Sequence, residues 1–175
     1  MEPKFIRFKV DTYQATAIYE YNSFIRKLIY QFKGCYDYEL KDVFLECYYR
    51  FIKLHYYSYY IIPIPSYEPD DEERGFNHVQ EIFKTLGLKT LNILIKKEKH
   101  KQATSTLKER NEVHKVLAIK KPINLSGKKV LIVDDIYTTG ATIKSAINLI
   151  EKLHPKTIKI LTIAKTKHKQ STNTN

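Results

Sequence analysis

The chain has 175 residues, 43% of them hydrophobic, and a formal net charge of +11. That length suits one well-buried domain and is short for two, and the composition excludes a disordered chain. No run approaches the roughly 18 apolar residues of a membrane span, and acids and bases interspersed at the N-terminus leave no signal-peptide core, so a cytoplasmic protein is expected.

Residues 13–20 read as a short strand before a turn at Asn22-Ser23. Phe24, Ile25, Leu28, Ile29 and Phe32 then recur with helical spacing up to Gly34. Leu40, Val43, Phe44, Cys47, Tyr48 and Phe51 mark a second amphipathic helix. The two cysteines, Cys35 and Cys47, form no C-x-x-C pair, and free thiols in a reducing compartment are expected. Tyr59–Ile62 reads as a buried strand closed by Pro63 and Pro65. A polar, acidic loop over 66–73 leads to a third helix through Phe76, Val79, Ile82, Phe83 and Leu86, stopped by Gly87. Leu91–Ile95 is a further strand. A basic loop follows from Lys96, with a helical portion near Leu107–Lys115, and ends in a turn at Ser126-Gly127. Val130–Val133 is the clearest strand. Ile143, Ala146, Ile147, Ile150 and Leu153 give a helical stripe, Thr157–Ile163 a last strand, and the tail from Lys165 is polar and frayed.

From about residue 59 strands alternate with helices, the pattern of an α/β fold with a mostly parallel sheet flanked by helices. The two earlier helices have no strand between them and are expected to cap the sheet or the site. The expected organisation is one compact domain: an N-terminal strand and helical cap over 1–58, a core over 59–165, and a frayed tail over 166–175.

The chemistry concentrates in Val133–Thr142. An apolar strand feeds into Asp134 and Asp135, a loop containing Thr138, Thr139 and Gly140 follows, and a helix opens at Ala141-Thr142. In open α/β sheets that order sets acids and backbone N–H groups at the carboxyl edge, where ligands bind. Converging N–H groups at a helix N-terminus replace the water around a phosphate, and Gly140 lets the backbone come close. The acids accept charge-assisted hydrogen bonds from vicinal hydroxyls and suit water around Mg²⁺. A ribose 5-phosphate meets both demands.

Together with Ile62-Pro63-Ile64-Pro65, Arg74-Gly75-Phe76-Asn77, Gln102 and Glu109-Arg110, this string resembles the ComF (ComF/GntX) family of competence-associated proteins, within the type I phosphoribosyltransferases. The resemblance runs from about Tyr19 to Ala164. It implies a type I phosphoribosyltransferase-like fold that binds phosphoribosyl diphosphate (PRPP) or a related phosphoribosyl ligand, with Asp134 and Asp135 at the ribose and residues 138–142 at the 5-phosphate. Pro65 and Ser66 fall where a diphosphate loop forms, and Arg74, Lys101 and Arg110 are candidate cations there. Many relatives begin with a zinc ribbon of two C-x-x-C pairs; this chain has none, and no zinc is carried over. After Arg110, Val113 stands where the family places Asn.

Phosphoribosyl transfer works through positioning and charge neutralisation and needs no protein nucleophile. None is visible. Thr138 stands where purine-salvage relatives carry an acid, which argues against a purine-salvage role. His78, His100 and His114 are read as structural or surface residues.

A second hypothesis is a catalytically silent module for nucleotides or single-stranded DNA that assists DNA uptake, as the family association implies. Nine Lys/Arg against three acids within Lys96–Lys121 suit phosphate tracking, and Tyr48, Tyr49, Tyr56, Tyr57, Tyr59 and Tyr60 are candidates for base stacking. Oligomerisation is a further expectation of the fold.

Overall fold

The structure is a computed structural model that describes residues 3–66, 71–73, 75–96, 117–121 and 123–167. Its main sheet has five strands: β1 (Ile6–Val10), β2 (Tyr13–Glu20), β3 (Tyr59–Pro63), β6 (Lys129–Tyr137) and β7 (Thr157–Lys165), in the order β1-β2-β7-β6-β3. All neighbours pair in parallel except β1, which forms an antiparallel hairpin with β2. The helices are α1 (Ser23–Gly34), α2 (Tyr49–Tyr56), α3 (His78–Lys84) and α4 (Ala141–Glu151).

The central strands are continuous apolar runs because both faces are covered. Val130, Leu131, Ile132 and Val133 are all fully buried. Leu131 and Val133 face Ile25, Leu28, Ile29 and Phe32 of α1, Ile52 and Tyr56 of α2, and Val79, Ile82 and Phe83 of α3. Val130 and Ile132 face Ile143, Ala146, Ile147 and Ile150 of α4. α1 starts where the Asn22 side chain accepts a hydrogen bond from the Ile25 N–H at 2.9 Å, an N-cap that satisfies an orphan donor.

The sheet corrects several sequence expectations. β1 was not anticipated: its residues alternate between half-buried and exposed and only Val10 is fully buried, and its pairing with β2 sets it. β6 does not stop at Val133 but runs on through both aspartates, held by the ladder to β7 at Asp134–Thr162 and Ile136–Ala164. The second helix is displaced. Tyr38–Lys41 is a short 3-10 turn and α2 begins only at Tyr49. Phe44, Leu45, Ile52 and Tyr56 are the buried set there, whereas Cys47 and Phe51 are exposed. The expected Leu91–Ile95 strand is not a strand of the main sheet, which it meets only at an isolated parallel bridge of Thr90 to Ile61, the Leu91 N–H donating to the Ile61 carbonyl at 2.8 Å. Instead β4 (Leu94–Lys96) pairs antiparallel with β5 (Leu117–Ile119) as a separate ribbon. The helical portion expected near Leu107–Lys115 lies outside the described residues. Cys35 and Cys47 are both exposed and unbridged.

Among the described residues, no helix is long and apolar enough to cross a membrane.

Candidate functional site

The carboxyl ends of β3 and β6 open onto a cleft of about 440 Å³. Its walls come from four regions distant in sequence: Tyr30, Lys33 and Gly34 of α1; Ile64, Pro65 and Ser66 after β3; His78 and Val79 of α3; and Asp134, Asp135, Ile136 and Thr142, with Lys96 at the rim.

The two aspartates leave the strand on opposite faces, as successive strand residues do. Each accepts a hydrogen bond from the next backbone N–H: Asp134 Oδ1 from Asp135 at 2.9 Å, and Asp135 Oδ1 from Ile136 at 2.6 Å. Asp135 is 9% exposed and turns toward α1 and α3. Its Oδ2 lies 3.0 Å from Lys33 Nζ and 3.2 Å from His78 Nε2. Burial by itself pushes the Asp135 carboxyl up, but the His78 hydrogen bond and the Lys33 ammonium outweigh it and hold this carboxyl well below the usual range. Asp134 is driven the other way, first by burial and then by the negative charge of Asp135. It keeps partial exposure to the cleft. Two neighbouring carboxylates thus differ sharply in proton affinity, and Asp135 reaches the cleft already paired.

The turn beyond β6 is built around Gly140. Its φ of 77° lies in the left-handed region, and a Cβ there would lie 2.5 Å from Tyr137 Oη. Tyr137 is itself buried, in edge contact with Phe8 at 4.7 Å. Thr138 and Thr139 are exposed, Gly140 is buried, and Thr142 lines the cleft. Gly140 offers no side chain to cap α4, and the first turn of that helix carries no acid. The helix therefore begins as an electropositive terminus.

On the diphosphate side, Ser66 is locked by a polar clamp. Asn77 Nδ2 donates to Ser66 Oγ at 2.7 Å and to Asp71 Oδ2 at 2.8 Å, while Ser66 Oγ donates to Asp71 Oδ1. The same Asn77 caps α3, its Oδ1 accepting from the Gln80 N–H at 2.8 Å. Phe76, one residue earlier, packs on Phe32 at 5.2 Å and Tyr38 at 5.1 Å, which fixes α1 against α3. Of the family signature, Phe76 and Asn77 are thus architectural. Arg74, Lys101, Gln102, Glu109 and Arg110 lie outside the described residues, as do His100 and His114.

Among the described residues no group of three or more His, Cys, Asp or Glu side chains gathers as a metal cage. A Mg²⁺ ion that keeps its waters and shares ligand phosphates needs only one or two carboxylates, and Asp134 fits that demand better than the paired Asp135.

Lys33 has no sequence signal that ties it to a residue 102 positions away. His78, read as structural or surface, is buried and touches Asp135. The tyrosines divide: Tyr56 and Tyr59 are buried and unable to stack bases, whereas Tyr57 is 73% exposed.

Residues 72–174 match the model of the phosphoribosyl transferase domain. Competence protein ComFC of Streptococcus pneumoniae is 30% identical over 149 residues, which cover 85% of this chain and 67% of that protein. The chain belongs to the ComF family. A second ComF relative, Competence protein ComFC of Bacillus subtilis, is 29% identical, with 79% of this chain and 59% of that one covered. The chain thus spans about two thirds or less of the length of these ComF proteins. The crystal structure of a purine phosphoribosyltransferase from Pyrococcus horikoshii aligns with a TM-score of 0.46 at 24% identity, covering 71% of this chain and 73% of that one. The ComF chain has the mostly parallel sheet and flanking helices of a type I phosphoribosyltransferase-like fold.

Proposed function

We propose that this ComF-family chain binds PRPP or a closely related phosphoribosyl ligand together with Mg²⁺, in the cytoplasm, and that it serves DNA uptake during natural transformation. The competence role comes from the names of its relatives. The observation that carries the ligand is the juxtaposition of Asp134, toward the carboxyl end of β6, with a glycine-dependent turn that leads into the start of α4, where the N-cap Gly140 has no side chain and only a long 3.5 Å contact from the Ala141 N–H to Thr139 Oγ1 engages the first N–H groups.

In this reading the 5-phosphate rests on the N–H groups of residues 138–142, aided by the helix dipole. The ribose hydroxyls donate to Asp134 and to the cleft-facing side of Asp135. The 1-diphosphate lies toward Pro65 and Ser66, with Lys33 and Lys96 as the nearest described cations; Arg74 and Arg110 are proposed to add to them. Mg²⁺, when bound beside Asp134, would neutralise diphosphate charge. The protein's own contribution to transfer is to hold the ring, to present cations to the leaving diphosphate and to keep Asp135 ionised through Lys33 and His78. Thr138 has no proton to exchange near neutral pH, so an acceptor purine would find no acid there.

Calorimetry with PRPP and Mg²⁺ tests this. The expected result is binding by the wild type that weakens strongly in Asp134→Asn, with diphosphate release on adding a nucleobase as the sign of turnover. Absence of PRPP binding, with and without Mg²⁺, would refute the proposal.

A further inference from the structure

The cleft has two sides, and the strand order separates them. β3, which leads into Pro65 and Ser66, flanks β6 on one side; β7 and then β2 flank it on the other. In a displacement at C1 of the ribose the incoming lone pair approaches opposite the breaking bond. A diphosphate that leaves toward Ser66 therefore requires an acceptor that enters from over β7 and β2. Those two strands end together, the Tyr21 N–H donating to the Lys165 carbonyl at 2.9 Å.

α1 starts at that end and runs toward β6. Arg26, Tyr30 and Gly34 follow one another along it at four-residue steps, about 6 Å apart, and Lys33 reaches Asp135 beside the last of them. A hollow lined by Tyr21, Asn22, Arg26, Lys27 and Tyr30 adjoins the cleft, and Tyr30 lines both. Tyr30 is 64% exposed. Its ring leans onto Gly34, where an added Cβ would lie 3.1 Å from two ring carbons. The glycine lets the ring lie along the helix and leaves most of it open to solvent. Arg26 and Lys27 are exposed, and among the described residues neither forms an ion pair with a carboxylate. Glu20, the acid beside Tyr21 in sequence, is taken by Lys4 and Lys167. The residues that line the hollow include no acid and no histidine.

With PRPP in the cleft as proposed, we infer that the acceptor is a pyridine-type ring that carries a carboxylate, stacked on Tyr30 with its carboxylate paired to Arg26 and Lys27. The absence of a proton acceptor on this side selects the ring. A ring nitrogen without a hydrogen needs no base: its lone pair forms the bond to C1, the C1–O bond breaks with its electron pair leaving on the diphosphate, and the nitrogen takes up the positive charge with no proton released. A nucleobase that attacks through an N–H must lose that proton, and neither Thr138 nor the hollow offers a group to receive it. The two cations select the charge, because an exposed aromatic face beside a guanidinium and an ammonium suits a planar anion.

Diphosphate release from PRPP and Mg²⁺ by the full chain tests this, with nicotinate as the probe, nicotinamide as its uncharged counterpart and hypoxanthine as an N–H acceptor. Nicotinate should exceed both in kcat/KM by about tenfold or more. Tyr30→Ala should raise KM for nicotinate about fivefold or more through lost stacking, with Tyr30→Phe close to the wild type. Arg26→Gln/Lys27→Gln should raise it about tenfold and erase the preference over nicotinamide. Saturation-transfer NMR should show the nicotinate ring protons in contact with the wild type and not with Tyr30→Ala, whatever the turnover. Thermal melts establish that each variant is folded, and the comparison of acceptors on the wild type decides if one is not. Calorimetry with PRPP separates the two levels. PRPP bound without nicotinate-dependent diphosphate release, or with nicotinamide or hypoxanthine used as well as nicotinate, would overturn this acceptor and leave the phosphoribosyl ligand in place. No PRPP binding would overturn both.

Discussion

Lys33 Nζ lies 3.0 Å from Asp135 Oδ2, across 102 residues of sequence. The contact joins the last turn of α1 to the end of β6, so the helix that roofs the sheet also supplies a charge to the cleft. Lys33 is placed by its neighbour Phe32, which is fully buried against Phe44 and Phe76. A cation is also well tolerated at that end of a helix.

Replacing Lys33 by Met should weaken PRPP binding roughly tenfold, or about 1.4 kcal/mol, because two adjacent carboxylates would then repel an anionic ligand. Stability should change little, since the Lys33 side chain is 40% exposed and solvent screens the pair. Lys33→Arg should recover part of the affinity. An unchanged dissociation constant in the Met variant, read by calorimetry, would remove Lys33 from the site.

The two aspartates should respond to pH in opposite directions. The Asp135 carboxyl is lower in the folded chain than in the unfolded one, so its contribution to stability is present above the ordinary carboxylate range and is lost as pH falls below about 4. Asp134 is raised, so it favours folding when protonated and that contribution is lost as pH rises toward neutrality. Thermal melts at pH 7 should therefore show Asp134→Asn more stable than wild type and Asp135→Asn less stable. Equal melting temperatures for the two variants would contradict this asymmetry.

Gly140→Ala should destabilise the fold by about 1–2 kcal/mol from the left-handed backbone alone, and more from the contact with Tyr137. Adding Tyr137→Ala should not restore the loss, because the backbone strain persists and a buried ring is gone. Denaturant melts of the single and double variants read this. A stable, ligand-binding Gly140→Ala protein would mean that the turn tolerates a side chain.

Asn77 separates stability from binding. Asn77→Ala removes the α3 cap, worth about 1 kcal/mol, and also frees Ser66 and Asp71. Asn77→Ser should keep a cap and recover most of the stability while leaving the Ser66 turn unclamped. The expected pattern is a near-normal melting temperature with weakened PRPP affinity. Recovery of both together would show that the clamp does not matter to the ligand.

The order of residues in Val133–Thr142 by itself determined that a strand, an acid pair, a glycine turn and a helix follow one another, because local backbone and side-chain demands dictate that succession, whereas the run of the strand on to Tyr137 came from its ladder with β7. The stripes of α1, α3 and α4 were legible for the same reason, since one face of each packs on a sheet. The track of the second helix was not. Leu40–Phe51 carries apolar residues at helical spacing, yet Phe44 and Leu45 are buried from a turn and α2 starts later, on a phase set by Ile52 and Tyr56 packing in the core. β1 likewise exists because β2 offers it an edge.

Only the tertiary structure decided which of the two aspartates stays open. A strand puts adjacent side chains on opposite faces, and the face Asp135 meets happens to hold Lys33 from α1 and His78 from α3. Neither partner is near it in sequence, so no local pattern encodes the pairing. The same holds for Arg7, Lys9, Lys129 and Lys159, which share one face of the sheet only because the strand order places β7 and β6 beside the N-terminal hairpin. Composition fixed how much positive charge the chain carries, and the sheet's connectivity fixed where it gathers.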